Sequence, residues 1–78
     1  MRRLATDPDR VDWFGVLMAL QRHGIPTASV ADQLRIPRST ILGWKQGAEP
    51  KYRDGEALTE LWCRVTGREL EAVPRVGK

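Results

Sequence analysis

Arg38-Ser39-Thr40 sets a guanidinium beside two hydroxyls directly after a proline, and Lys45, Gln46, Lys51, Tyr52 and Arg53 follow within a short span. A guanidinium offers several N–H donors in a planar fork, and a hydroxyl both donates and accepts. These residue types suit recognition through hydrogen bonds and charge. They do not suit bond making. A nucleophile needs a base within reach, yet the sole histidine, His23, and the sole cysteine, Cys63, fall in different predicted helices. Asp7, Asp9 and Asp12 form an acidic cluster that complements a helix N-terminus without further chemistry. There is no phosphate loop, metal-ligand set or nucleophile motif. No enzymatic activity, cofactor, metal or small-molecule substrate is therefore expected.

Charge placement supports the same emphasis. The chain of 78 residues carries a net charge of +3. Between Leu34 and Arg53 stand Arg35, Arg38, Lys45, Lys51 and Arg53 against the single acid Glu49, whereas from Asp54 to Lys78 acids slightly outnumber bases. A basic segment beside a neutral-to-acidic remainder is the footprint of a polyanion-binding face, and a solvated surface gives the same pattern about as often.

Periodicity supplies the elements that must position these groups. Asp7-Pro8 reads as an N-cap and a first helical proline, opening a helix that runs to about His23 and ends at Gly24. Val11, Phe14, Leu17, Met18 and Gln21 form one apolar face. Trp13, Val16 and Leu20 widen it, so this helix is either embedded on more than one side or offers a second apolar surface to a partner. Thr27 reads as the cap of a two-turn second helix with Val30, Ala31 and Leu34 inward. A third helix spans about Pro37 to Gln46, with Ile41 and Trp44 inward and Gly47 at its end. Ile36 is the apolar plug of the turn between them. Asp54 reads as the cap of a fourth helix through about Thr66, ended by Gly67, with Ala57, Leu58, Leu61, Trp62 and Val65 in one stripe. The residues after Gly67, RELEAVPRVGK, read either as a short strand or arm around Leu70 to Val76 or as a frayed tail. The expectation is one all-α domain over 1–78, a small bundle of four short helices with its core at about 8–67 and a tail at 68–78.

Two helices joined by about three residues, with a small residue at the close approach and an apolar plug in the turn, form a helix-turn-helix pattern over 27–47. Thr27-Ala28-Ser29-Val30-Ala31-Asp32-Gln33-Leu34, then Ile36, Arg38-Ser39-Thr40-Ile41 and Trp44-Lys45-Gln46-Gly47, resemble the Cro and lambda-repressor-like family of phage and bacterial regulators. With the flanking helices, the similarity covers about 11–67. Two positions depart from that pattern: Arg35 stands where the family usually has glycine, and Pro37 where it usually has a serine cap. A left-handed arginine costs about 1 kcal/mol, which leaves two readings open: the turn keeps its usual geometry at that cost, or it differs by a residue.

The resemblance implies a sequence-specific DNA-binding transcriptional regulator, a phage-type repressor or Cro-like protein, whose third helix enters the major groove. It further implies base-facing roles for Arg38, Ser39, Thr40, Leu42 and Gly43. Phosphate contacts are implied for Thr27, Arg35, Lys45, Gln46, Lys51, Tyr52 and Arg53. So small a domain contacts few base pairs, so a homodimer on a two-fold operator is expected, joined through the fourth helix or the tail. Two alternatives are a DNA-docking module of a phage packaging or recombination machine and a protein-binding helix-turn-helix module. The former normally needs an oligomerisation region, for which 68–78 leave little room. The longest apolar run, Val16 to Leu20, is far shorter than a membrane span, and MRRLATDPDR has no apolar signal region after its arginine pair, so a cytoplasmic location is expected.

Overall fold

Helices as short as two turns do not persist alone in water, so their order must come from packing and from well-made ends. The computed structural model describes residues 10–75. It contains α1 (Trp13–Arg22), α2 (Thr27–Leu34), α3 (Arg38–Lys45), α4 (Tyr52–Thr66) and a 3₁₀ turn (Leu70–Ala72). The arrangement is an all-α bundle: α1 packs on α3 and α4, α2 packs on the same two helices, and the 3₁₀ turn lies against α4.

The ends of the first three helices are made alike. After α1, α2 and α3 the chain takes a left-handed residue, Gly24, Arg35 and Gly47 respectively. The next N–H then reaches back to a carbonyl in the final turn: Ile25 to Leu20 at 2.8 Å, Ile36 to Ala31 at 3.0 Å and Ala48 to Gly43 at 2.9 Å. This hydrogen bond satisfies a carbonyl the helix cannot, and twice it seats an apolar residue against the core. Ile36 is buried and Ile25 packs at the core's edge. Of the two readings of the turn, the structure shows the first. Arg35 adopts φ 59° and ψ 45°, the conformation glycine would have taken, and Ile36 plugs the angle as expected.

Three helix starts differ from expectation. Asp7 and Pro8 lie outside the described residues, and α1 begins only at Trp13, because Asp12 caps it by accepting the Gly15 N–H at 3.1 Å. Upstream, Val11 forms an antiparallel bridge with Arg75, and the Asp12 N–H donates to the Pro74 carbonyl at 2.9 Å, pairing that a helix through these residues would forbid. At α2 the N-cap is Pro26 and Thr27 is the first helical residue, with no side-chain cap bond. The N-cap of α4 is Lys51, three residues before the expected Asp54, which sits instead in the first turn as an acid complementing the helix dipole.

Burial also recentres the first stripe. Val16, Leu17, Ala19 and Leu20 are the buried residues of α1, while Phe14 is 51% exposed and Gln21 is exposed. Val30, Ala31, Ile36, Ile41, Trp44, Leu58, Leu61 and Trp62 complete the interior together with Val73, only 3% exposed. The core thus extends past Gly67. Up to Arg75, the segment after α4 is an arm that folds back to pair with Val11, the first of the two expected readings. Gly15 makes room for that arm: a Cβ there would lie 2.7 Å from Asp12 Oδ2 and 3.2 Å from Pro74 Cβ.

Gly15→Ala therefore lowers stability by a net of about 1 to 2 kcal/mol in chemical denaturation, because displacing the cap and the arm outweighs the gain in helix propensity. Val73→Ala costs about 2 kcal/mol, whereas Leu70→Ala, at a position 55% exposed, stays within about 0.5 kcal/mol. Equal effects from the two truncations would contradict the packed arm.

Candidate nucleic-acid interface

α3 is held by two buried side chains, Ile41 and Trp44, so the rest of its circumference is available to solvent. Pro37 takes the N-cap position, and its carbonyl accepts the Thr40 N–H at 3.0 Å. Arg38, Ser39, Thr40, Leu42 and Gln46 are exposed; Gly43 and Lys45 are half-buried. Helical spacing sorts them into two strips. Ser39, Thr40 and Gly43 line an open groove of about 550 Å³, bounded also by Arg35, Ala48, Glu49, Lys51 and Asp54. Arg38, Leu42 and Lys45, at four- and three-residue spacing, share the other side. Lys45 there borders a small concavity with Trp13, Phe14 and Ala48.

The basic side chains of this region are uncommitted. Arg35, Arg38, Lys45, Lys51 and Arg53 make no ion pair or side-chain hydrogen bond with any described residue, and neither do Ser39, Thr40 and Gln46. Thr27 is half-buried at the first position of α2, where the backbone N–H groups preceding Val30 have no intrahelical acceptor. Arg35, at the end of the same helix, reaches the α3 groove.

Not every residue of the predicted set converges on α3. Of Lys51-Tyr52-Arg53, only Lys51 lines the α3 groove. Tyr52, 81% exposed, donates to Glu56 at 3.3 Å and borders a groove with Trp13, Pro50, Gly55 and Leu70. Arg53 borders a third hollow with Glu56, Glu60, Cys63 and Leu70. The cause is helical spacing: as consecutive residues at the start of α4, the three diverge by about 100° each. Trp13 packs at the core's edge, where Gly55 admits it; a Cβ on Gly55 would come within 3.0 Å of the ring.

One contact was not expected. Arg10 donates from Nε at 3.0 Å and from Nη2 at 2.6 Å to the same Glu49 oxygen, tying the segment before α1 to the loop after α3. Nothing in spacing signals a pair so far apart. Only the count of one acid among five bases marks Glu49 as a residue needing an account. Elsewhere, the His23 ring lies 2.9 Å from the Ala19 carbonyl, a helix-end contact. No group of three or more His, Cys, Asp or Glu side chains among the described residues is disposed to hold a metal ion. Among those residues, no helix is long and apolar enough to cross a membrane. Comparisons with protein-family models, curated proteins and solved structures gave no match.

Gly43 stands inside a two-turn helix, where glycine costs up to about 1 kcal/mol relative to alanine, and packing does not demand it: a Cβ would meet only Ala48, at an ordinary 3.8 Å. Gly43→Ala should therefore raise the midpoint of urea denaturation, by about 0.5 to 1 kcal/mol in stability. A loss of stability would mean that an unseen packing constraint holds the glycine.

Proposed function

We propose that this chain is a sequence-specific DNA-binding protein that sets α3 in the major groove of duplex DNA, acting without catalysis as a cytoplasmic transcriptional regulator of the repressor or Cro-like kind. The observation that carries the reading is the exposed start of α3, where Arg38, Ser39 and Thr40 have no side-chain partner among the described residues although two short helices are spent on holding them. Arg38 supplies the bidentate fork for guanine O6 and N7, and Ser39 and Thr40 reach bases or phosphates. Leu42 offers an apolar surface for a thymine methyl, and bare Gly43 permits close approach of the helix to the bases. Thr27, Arg35, Lys45, Gln46 and Lys51 flank this centre as phosphate contacts, which add affinity without sequence information. Tyr52 and Arg53 lie farther round α4 and contribute at most at the rim.

A module this small reads few base pairs, so it works as a homodimer on a two-fold operator, with half-sites about one helical turn apart. The exposed Tyr52 and Leu70 beside α4 support a dimer surface there. A second reading is a protein-binding module. Exposed Phe14 on α1 and Leu42 on α3 favour it, as apolar side chains the fold leaves uncovered.

Selection from random duplexes, followed by gel-shift titration across salt concentrations, tests the first reading. Arg38→Ala should cost about 1 to 3 kcal/mol on the selected site and relax preference at one base pair. Lys51→Ala should weaken binding to all sequences alike and reduce the salt slope by about 1. If no sequence is preferred, and Arg38→Ala leaves affinity and salt slope unchanged, the reading fails; a stoichiometric protein complex without low-salt DNA binding would favour the second.

A further inference from the structure

The basic span from Leu34 to Arg53 contains one acid, Glu49, which borders the groove that Ser39, Thr40, Gly43 and Lys51 also line. A carboxylate there is a like charge set against any phosphate that approaches, and exposure does not abolish that repulsion over a few ångströms. Arg10 answers it. Its Nε and Nη2 both donate to Glu49 Oε2, at 3.0 and 2.6 Å, although the two residues are 39 apart in sequence.

The backbone around Arg10 is anchored for this. Val11 is bridged to Arg75, and Asp12 both receives the Gly15 N–H and donates its own N–H to Pro74. The guanidinium therefore projects from a fixed segment onto the loop between α3 and α4. The side chains are 37% and 55% exposed, and pairs so exposed add little to folding stability. A role in shaping the charge of the neighbouring groove accounts for the contact better than stability does.

We propose that Arg10 is a positioning residue of the polyanion-binding face: by holding and neutralising Glu49, it offsets one of the two carboxylates, Glu49 and Asp54, that line the groove beside α3, and so makes that groove more receptive to phosphate. The proposal rests on the DNA-binding reading. Arg10 acts through Glu49, not by touching DNA itself.

A double-mutant cycle on the full chain tests this, using a DNA duplex selected by the wild-type protein, with a thermal melt of each variant to verify folding. Arg10→Gln should weaken binding by about three- to tenfold at low salt, with the loss shrinking as salt rises. Glu49→Gln should bind as well as wild type or up to about twofold tighter. The double variant Arg10→Gln, Glu49→Gln should match Glu49→Gln alone, because with no carboxylate at position 49 the guanidinium has no charge in the groove to neutralise. An equal loss from Arg10→Gln in both backgrounds would make Arg10 a direct DNA contact and overturn the proposal, as would an Arg10→Gln variant that binds like wild type. A wild-type protein that binds no duplex at all overturns the DNA-binding reading and this inference with it, whereas the preceding outcomes overturn the inference alone.

Discussion

The hydrogen bond from the Ile36 N–H to the Ala31 carbonyl, 3.0 Å long, sets the relation between α2 and α3. To make it, Arg35 must turn left-handed, at a cost of about 1 kcal/mol that glycine would have avoided. The bond and the burial of Ile36 offset that cost. Once the chain is turned there, Pro37 starts α3 in an extended conformation, Ile41 and Trp44 drop into the core, and the outer face of α3 is determined. The arginine also leaves a cation where glycine would leave none, on the rim of the α3 groove. Backbone strain and surface charge at this position thus come from one residue.

The same device recurs after α1 and α3 and explains how helices of eight to ten residues assemble. Each ends by satisfying a terminal carbonyl within its own chain, so little polar backbone is left to solvate at the corners. Packing then comes from few side chains: Val30 and Ala31 from α2, Ile41 and Trp44 from α3, against Val16, Leu17 and Leu20 of α1 and Leu58, Leu61 and Trp62 of α4. α3 contributes only two buried residues, which is why so much of its surface is free to carry polar groups.

How legible the molecule was depends on whether a feature is local. The four helices, the glycines that end three of them, the plug at Ile36 and the inward pairs of α2 and α3 follow from spacing and turn chemistry, and were readable. The start of α1 was not, because Asp7-Pro8 and Asp12 are each acceptable local starts and the choice is made by Pro74 and Arg75, far along the chain. Phe14 and Gln21 fit a helical stripe as well as Val16 and Leu20 do; only the placement of α3 and α4 decides which side is covered. Within the candidate site, the exposed group Arg38, Ser39 and Thr40 was legible from helix phase. Its separation from Tyr52 and Arg53 was not, since adjacency in sequence says nothing of facing until α4 is known to begin at Tyr52.

The groove and the opposite strip give α3 two unlike sides. Toward the groove lie two hydroxyls and a glycine, with Arg35 and Lys51 at the margins; on the other side Arg38 and Lys45 flank Leu42. Hydroxyls accept as well as donate and tolerate several partners, whereas a guanidinium beside an apolar side chain is selective, its fork suiting a purine edge and the aliphatic group a methyl. On the proposed reading, discrimination between sequences resides chiefly on the Arg38–Leu42 side, and the groove side supplies close approach and adaptable contacts. Glu49 borders that adaptable side while its partner Arg10 lines the hollow beside Lys45, so on the same reading the pair links the two sides and sets the charge balance of the groove.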